Sequence, residues 1–504
     1  MDCYVATTAA KPAAAAAGSS SFPGTPFGGK PSDEWFRHSS GKRINTDTVM
    51  AQALARQYPD LALTIAPPSN GLSLLRYAAA GHATCTPIAQ RPKDGNGNGD
   101  GDGVYAPVAW AVYAPPARRL DGDPGALVAQ VRFGEFAYAW RGRAFVLYVA
   151  DGRDGTEAYT ASANHYLLCD AREDAEALLL AAGRWANELH GEVWVFDLGY
   201  WQKSAELFRS AMGSSWDNVI LAEGMKKAII DDHVSFFESR DTYAKLKVPW
   251  KRGVIYHGPP GNGKTISIKA TMHMLYAMKD PIPTLYVRSL SSFNGPEYAL
   301  MSIFQKARQF APCYLVFEDL DSIVSDQVRS YFLNEVDGLK NNDGIFMIGS
   351  TNHLERLDPG ISKRPSRFDR KYFFPDPDLK QRIAYCKFWQ KKLADNEDVE
   401  FPDKLCKAIA EITDKFSFAY MQEAFVAALL AIARRSQHEG RYGEEPQARD
   451  ADDGWLEVGG GGGDGDLDEL VLWVEIRKQI ETLREGMESE KNTAACGRNR
   501  SRKK

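Results

Sequence analysis

The sequence predicts an α/β fold for the later part of the chain: a parallel sheet with helices on both faces plus a small helical lid, preceded by an α+β N-terminal domain. Three observations predict this fold class. After Val254, short apolar runs alternate with helical runs, which is typical of a parallel sheet covered by helices. From Leu379 onward the periodicity is helical. Between 104 and 170, strand-like runs follow one another and are separated by turn clusters such as DGDPG.

The N-terminal part is predicted to contain a tail, a domain and a loop. Residues 1–32 are rich in Ala, Gly, Ser and Pro, which indicates a disordered tail. Residues 33–210 are predicted to form the α+β domain, which includes a helix at AREDAEALLLAAGRWANELH and a strand at EVWVFDL. The glycine-, asparagine- and aspartate-rich stretch at 94–103 is predicted to form a flexible loop. We identify no catalytic pattern in this domain.

The predicted parallel sheet lies within residues 211–378. Its strands are expected at VIYHG, TLYVRS, CYLVFED, IFMIGSTN and KYFFPDP. Residues 379–487 are predicted to form the helical lid. An acidic and polyglycine insertion interrupts it at 439–466, and its composition predicts disorder. Residues 488–504 form a basic tail that ends in GRNRSRKK.

Composition excludes several classes of protein. A chain of 504 residues is long enough for about two to four domains, and a net charge of −5 gives no general attraction to nucleic acid. The seven cysteines form no C-x-x-C pair, which argues against a disulfide framework and for a reducing compartment. No apolar run is long enough for a transmembrane helix, and the start does not resemble a signal peptide. We therefore expect a soluble, intracellular protein, in the cytoplasm or the nucleus.

The stretch GVIYHGPPGNGKT, between 253 and 265, carries the clearest chemical signal. Its glycines allow backbone N–H groups to approach phosphate oxygens. Lys264 is expected to reach the β- and γ-phosphates, and the Thr265 hydroxyl is expected to ligate Mg²⁺. A helix predicted at about 263–277 points its positive end at the same phosphates. The expected nucleotide-binding residues are Gly258, Pro259, Pro260, Gly261, Asn262, Gly263, Lys264, Thr265 and Ile266.

A second acidic motif, CYLVFEDLDSI, follows along the chain. Its apolar residues bring Glu318 and Asp319 to the carboxyl end of a buried strand, where ligands bind in sheets of this kind. One carboxylate is expected to hold Mg²⁺ through water, and the next to polarise the attacking water.

Together with two further segments, these motifs resemble those of the AAA family of ATPases. WDNVILAEGMKKAIIDDHVSFF looks like the segment that enters an AAA module and flanks the adenine. KRGVIYHGPPGNGKT and LVFEDLDSI resemble its Walker A and Walker B motifs, and GSTNHLERLDPGISKRPSRFDRKYFF resembles its second region of homology. The resemblance covers 216–437, under half of the chain. It implies ATP and Mg²⁺ as cofactors, ATP hydrolysis, and a homo-oligomeric ring that is most often a hexamer.

The resemblance also assigns roles to single residues. Glu318 stands where AAA proteins usually have Asp and would hold Mg²⁺, and Asp319 stands where they usually have the catalytic Glu. The Bcs-type branch shares this reversed order, but the shorter Asp319 can slow hydrolysis if it misplaces its carboxylate. Asn352 matches the sensor-1 residue, which helps to position the attacking water. Arg364 and Arg367 match the two arginine fingers, which reach the site of a neighbouring subunit.

Phe293, in the stretch Phe293-Asn294-Gly295, is a candidate for contact with the substrate of the module. It resembles the aromatic-x-Gly loop that lines the pore of AAA unfoldases and grips an extended polypeptide; a Phe packed inside a loop is the alternative. In the lid, the resemblance implies that Ala419 approaches the adenine. The reversed acidic pair and the run VPWKRGVIYHGPPGNGKT point to a fungal-type AAA protein with some Bcs-like features.

We therefore expect an ATP-hydrolysing, ring-forming motor that remodels or unfolds a protein client. Two other interpretations remain open. A nucleotide-gated binding or scaffold protein would bind ATP and hydrolyse little of it. A nucleic-acid motor would use the basic tail RNRSRKK, and the acidic net charge argues against it. The client itself is not encoded in any pattern that we recognise.

Overall fold

A computed structural model describes residues 5–6, 46–88, 107–116, 120, 122, 124–151, 163–337, 340–364, 367–396, 399–439 and 467–501. The chain divides into two compact units, Met1–Glu188 and Leu189–Lys504. The loop predicted at 94–103 and nearly all of the insertion predicted at 439–466 lie outside the described residues.

The first unit is built on an antiparallel sheet. Within the described residues its order is β1-β5-β6-β7-β2, and β3 and β4 also pair with β5. The strands are β1 (Val5–Ala6), β2 (Ala62–Ala66), β3 (Thr84–Pro87), β4 (Val108–Ala114), β5 (Ala126–Trp140), β6 (Arg143–Asp151) and β7 (Ala163–Cys169). The short β1 lies inside the tail predicted at 1–32 and pairs with β5, while the rest of that tail lies outside the described residues.

Helices cover both faces of this first sheet. They are α1 (Thr46–Gln57), α2 (Leu74–Ala79) and α3 (Arg172–Asn187). Leu54 of α1 packs with Tyr148 and Tyr166 on one face, whereas α2 and α3 pack on the other face around residues such as Leu147 and Leu167. The strands supply alternate side chains to the two layers, as the pleat requires. The predicted α+β character of the N-terminal part is therefore confirmed.

The second unit contains the parallel sheet that the sequence predicts. Its strands are β8 (Val193–Asp197), β9 (Tyr200–Ser204), β10 (Lys251–His257), β11 (Thr284–Val287), β12 (Cys313–Phe317), β13 (Ile345–Thr351) and β14 (Arg370–Phe373). The order is β14-β10-β13-β12-β11-β8-β9. All neighbours are parallel except β9, which returns antiparallel to β8.

The strand β8 corrects the domain boundary predicted at 210. It corresponds to EVWVFDL, which we assigned to the N-terminal domain, yet it pairs in parallel with β11. The division of the chain falls after Glu188 instead. An apolar strand has the same local pattern in either sheet, because periodicity reports burial and not the identity of the pairing partner.

Helices also cover both faces of the second sheet. They are α4 (Ala205–Met212), α5 (Glu223–Glu238), α6 (Arg240–Leu246), α7 (Lys264–Tyr276), α8 (Pro296–Phe310), α9 (Leu320–Ile323), α10 (Arg329–Asp337) and α11 (Pro359–Ser362). Tyr314 and Val316 of β12 pack in the cluster that contains α5 and α7. Leu315 and Phe317 pack in the cluster that contains α8 and α10. The loops at the carboxyl ends of these strands are thus held by a two-sided core.

The helical lid follows the sheet as predicted. It consists of α12 (Leu379–Lys392), α13 (Asp403–Ile412), α14 (Phe418–Glu439) and α15 (Val471–Ser501), which share one apolar core. Asp378 and Gln381 form a capping box at the start of α12, which fixes where this helix begins. The helix α15 continues through most of the segment predicted as a basic tail, 488–504. No helix in the described part of the chain has both the length and the apolarity of a membrane span.

Candidate functional site

The loop between β10 and α7 adopts a conformation that only glycine allows at two positions. Gly258 has a φ of 141°, and Gly261 has a φ of 78°. A Cβ atom on Gly258 would lie 2.3 Å from the carbonyl oxygen of Phe374, and one on Gly261 would lie 2.5 Å from the Cβ of Ala419. Substitution is excluded by both backbone conformation and space. The loop is therefore held close to β14 and to the start of α14.

Lys264 is held inside this loop. It is only 8% exposed, and its Nζ donates hydrogen bonds of 2.7 Å to the carbonyl oxygens of Gly258 and Pro259. Burial lowers the pKa of Lys264, and the nearby Asp319 acts in the opposite direction. The N-terminus of α7 adds its positive partial charge at the same place. Together, the ammonium and the helix terminus are suited to an anion.

Asn262 ties the loop to the end of the sheet. Its Nδ2 donates a hydrogen bond of 2.8 Å to Oδ1 of Asp376, and its side chain is 1% exposed. Asn262, Gly258 and Pro259 do not line the cavity described below. We conclude that these three of the predicted binding residues shape and anchor the loop.

The acidic pair lies where β12 ends, as the sequence predicts. Asp319 has a φ of 50°, which a short polar side chain tolerates better than most. Its N–H donates to Oγ of Ser350 at 3.3 Å. Glu318 accepts a hydrogen bond from the hydroxyl of Tyr286 through Oε2, whereas its Oε1 is buried without a hydrogen-bond partner.

Asn352 follows β13 and faces the same region. Its Oδ1 is buried and has no hydrogen-bond partner, as is also true of Oε1 of Glu318. A buried acceptor that stays unsatisfied costs about 1–3 kcal/mol, so such atoms in a native cavity point to a ligand, an ion or ordered water. Next to Asn352, Thr351 donates to Oδ1 of Asp321 at 2.6 Å, which fixes the end of β13 against α9.

These groups meet in one cavity of about 410 Å³, a volume typical of small-molecule sites. The loop and the strand ends contribute its charged and polar groups. The segment before α5 and two lid helices contribute apolar and aromatic surface. The lining residues are Asn218, Val219, Ile220, Pro260, Gly261, Gly263, Lys264, Thr265, Ile266, Glu318, Asp319, Ser350, Asn352, Tyr385, Phe418, Ala419 and Gln422.

Several of these lining residues were not predicted from the sequence. Tyr385 of α12 and Phe418 of α14 bring their ring centroids to 5.2 Å, and Gln422 and Ser350 complete the wall. Phe418 and Gln422 stand four residues apart and so share a helix face, which is the one local signal available. Ala419 lies in the wall beside them.

The two predicted arginine fingers do not line the cavity and differ from each other. The side chain of Arg367 is 8% exposed. Its Nε donates to Oδ2 of Asp337 at 2.7 Å, and its Nη1 donates to the carbonyl oxygen of Gly360 at 2.6 Å. The side chain of Arg364 is 63% exposed, and its Nη1 lies 3.5 Å from the same carboxylate. Arg364 therefore presents its guanidinium to solvent, and Arg367 does not.

Phe293 lies between β11 and α8 and is 99% exposed. The backbone beside it is ordered by Ser292, whose Oγ accepts from the N–H of Asn294 at 3.2 Å and whose carbonyl oxygen accepts from the N–H of Gly295 at 3.1 Å. This exposure rules out the alternative in which Phe293 packs inside a loop.

The same cavity contains groups that fit a magnesium ion. The described residues contain no group of three or more His, Cys, Asp or Glu side chains that could hold a metal by themselves. Mg²⁺ does not require such a group, because it commonly binds one or two carboxylates, waters and the phosphates of a substrate. The unsatisfied Oε1 of Glu318 and the hydroxyl of Thr265, both at the cavity wall, suit that type of coordination.

Comparison with known families agrees with this geometry. Residues 254–376 match the model of the ATPase family associated with various cellular activities (AAA). The match begins in β10 and ends just after β14, so it includes the glycine-rich loop, the acidic pair, Asn352 and both arginines. This stretch is an AAA ATPase domain, which supports an ATPase-type nucleotide-binding protein.

Proposed function

We propose, from the AAA ATPase domain at residues 254–376, that this protein binds ATP with Mg²⁺ and hydrolyses it. The observation that carries the proposal is the composition of one cavity. A buried lysine, a helix N-terminus, two carboxylates and an unsatisfied asparagine oxygen meet there beside an aromatic wall. The first two attract phosphates, the carboxylates suit a divalent cation and a water molecule, and the aromatic wall suits a purine.

Each of the groups in this cavity then has a proposed role. Backbone N–H groups of the loop and Lys264 would bind the phosphate oxygens. Thr265 and Glu318 would hold Mg²⁺, which neutralises charge on the β- and γ-phosphates when bound. Asp319 would orient the attacking water and accept its proton, and Oδ1 of Asn352 would accept a hydrogen bond that fixes the position of this water.

We further propose that the site is completed in a homo-oligomeric ring, with a hexamer as the expected assembly. Lys264 is the only basic residue among the described residues that line the cavity, whereas phosphoryl transfer commonly uses an arginine as well. Arg364 is exposed outside the cavity and is available to a neighbouring subunit. Arg367, held by Asp337, would support the segment that presents it.

The proposed work of the ring is the remodelling of a protein client. An aromatic side chain that is 99% exposed gives sequence-tolerant apolar contact with an extended polypeptide, and Phe293 provides it in the loop between β11 and α8. The order Glu318-Asp319 also places the protein, in our proposal, on the Bcs-like side of the AAA family.

A scaffold with little hydrolysis is the second candidate. One observation favours it: Asp319 is one methylene shorter than the usual catalytic Glu, and a carboxylate displaced by about 1 Å can lower the rate about a hundredfold. The basic residues of the C-terminal segment, on which a nucleic-acid motor would depend, have no described side chains.

Measurements of ATP binding and of steady-state ATP hydrolysis distinguish an ATPase from a scaffold with little hydrolysis. Lys264→Ala should abolish tight ATP binding, and Lys269→Ala, in the same helix but outside the cavity, should not. Asp319→Asn should retain ATP binding and lower the rate of hydrolysis about a hundredfold or more. A wild-type protein that binds ATP but hydrolyses it no faster than Asp319→Asn would identify a scaffold. A wild-type protein without ATP binding would overturn the proposal.

A further inference from the structure

Tyr286 contacts the acidic pair, and no sequence motif indicates this contact. It lies in β11, next to β12 and in parallel register with it, so that Tyr286 stands opposite Val316. Two residues beyond Val316, and on the same face of the sheet, Glu318 extends its side chain past the end of β12. The hydroxyl of Tyr286 donates a hydrogen bond to Oε2 of Glu318.

The two oxygens of the Glu318 carboxylate are therefore in different situations. Oε2 is engaged by the tyrosine, and Oε1 is buried without a hydrogen-bond partner. Glu318 lines the cavity that contains Lys264 and Thr265. One oxygen fixed by the protein and one left for a partner is the arrangement that metal-binding carboxylates show, where a neighbouring hydrogen bond orients the ligand.

The side chain of Glu318 makes such a restraint useful. Glutamate has one more rotatable bond than the aspartate usual at this position of the family, so it loses more conformational entropy when it is fixed. A hydroxyl donor on the adjacent strand selects one of its rotamers.

We propose that Tyr286 is a positioning residue for magnesium: it holds Oε2 of Glu318 so that Oε1 faces the hydration shell of nucleotide-bound Mg²⁺. The inference rests on the proposed function of the site. It explains how a glutamate serves where an aspartate is usual, because the tyrosine fixes the longer side chain.

The test measures the magnesium requirement of nucleotide binding, which does not depend on hydrolysis. The affinity of the full chain for a ribose-labelled fluorescent ADP is titrated with and without MgCl₂. Tyr286→Phe should raise the half-saturating Mg²⁺ concentration about tenfold, as loss of a group that orients a metal ligand commonly does. The affinity measured in EDTA should stay unchanged. Tyr331→Phe, a matched change on α10 at a residue that is 54% exposed, should alter neither value.

A double-mutant cycle with Glu318→Ala identifies the partner of the hydroxyl. Alanine at 318 removes the carboxylate that Tyr286 contacts, so Tyr286→Phe should raise the Mg²⁺ requirement less in the Glu318→Ala background than in the wild type. Additive effects, or an unchanged Mg²⁺ requirement in Tyr286→Phe, would overturn the inference, as would an equal loss of affinity in EDTA. Wild-type protein that fails to bind labelled ADP would overturn the proposed function itself and this inference with it.

Discussion

Arg364 and Arg367 belong to the same motif, but the first is exposed to solvent and the second is buried. Arg367 is buried and makes two directed hydrogen bonds, to Asp337 and to the carbonyl oxygen of Gly360. Arg364 is mainly exposed and approaches Asp337 only at 3.5 Å. A planar guanidinium with two fixed partners acts as a structural clamp, whereas an exposed ion pair contributes little to stability. We therefore expect different defects when each arginine is removed.

Arg367→Ala should lower the free energy of unfolding by about 2 kcal/mol, because it removes two directed hydrogen bonds that a buried guanidinium donates. Arg364→Ala should change it by less than about 0.5 kcal/mol while still lowering ATP hydrolysis. Urea unfolding followed by tryptophan fluorescence measures the first quantity. Arg367→Lys serves as the matched control. Its free energy of unfolding should be intermediate, since lysine keeps the positive charge but lacks the planar guanidinium with its several donors. Equal stability of the two alanine variants would contradict this division of roles.

We expect His233 to make the stability of the second unit depend on pH. It lies in α5 and is fully buried; its Nδ1 donates to the carbonyl oxygen of Ile229 at 2.7 Å, and its Nε2 has no hydrogen-bond partner. Its ring stacks on Phe346 with a centroid distance of 4.2 Å. Burial lowers the pKa of His233 to about 4; the Ile229 carbonyl and Asp232 oppose this shift, and Arg252 adds to it.

Because the folded pKa lies below the ordinary value of 6.5, the unfolded chain binds more protons between about pH 6.5 and pH 4. The contribution of His233 to stability is therefore complete above about pH 6.5 and falls by about 3 kcal/mol as the pH drops to 4. His233→Phe keeps an aromatic ring but cannot titrate, so its free energy of unfolding should fall less over this window. Parallel pH profiles for the two proteins would show that His233 is not the group responsible.

At the scale of elements, the hairpin of β8 and β9 supports the loop that carries Phe293. Oγ of Ser289 donates to Oδ1 of Asp197 at 2.9 Å, and the N–H of Arg288 donates to the carbonyl oxygen of Phe196 at 3.1 Å. Both acceptors lie in β8, which precedes the residues of the family match. The functional module thus includes an edge hairpin supplied by the preceding sequence.

The elements that the sequence predicted well are those whose signal is local. The glycine-rich loop is contiguous, and the apolar run of β12 fixes where Glu318 and Asp319 must emerge, so both could be assigned before the structure. The partners of these groups are distant in sequence: 114 residues separate Asn262 from Asp376, and 32 separate Tyr286 from Glu318. Such contacts depend on strand order and helix packing, which periodicity does not specify. The same limit explains why β8 was assigned to the N-terminal domain and why Tyr385 and Phe418 were missed.

At the scale of the whole molecule, each chain of the proposed ring would provide two incomplete halves of a site. Its cavity contains the groups for phosphate, metal and water, and its exposed Arg364 lies outside that cavity. A head-to-tail contact would bring the arginine of one subunit to the cavity of the next, and such contacts form rings when the rotation closes. The proposed ring would complete the site in this way, and it can be tested through activity.

Mixing two inactive variants provides that test. Arg364→Ala keeps a complete cavity, and Asp319→Asn keeps the arginine, so an interface that joins the first cavity to the second arginine is complete. Equal amounts mixed at random should complete about a quarter of the interfaces, and ATP hydrolysis should recover toward that fraction of the wild-type rate. A mixture of Asp319→Asn with Lys264→Ala is the matched control and should not recover, because both changes damage the cavity. If the first mixture shows no gain over its components, the arginine does not act across subunits.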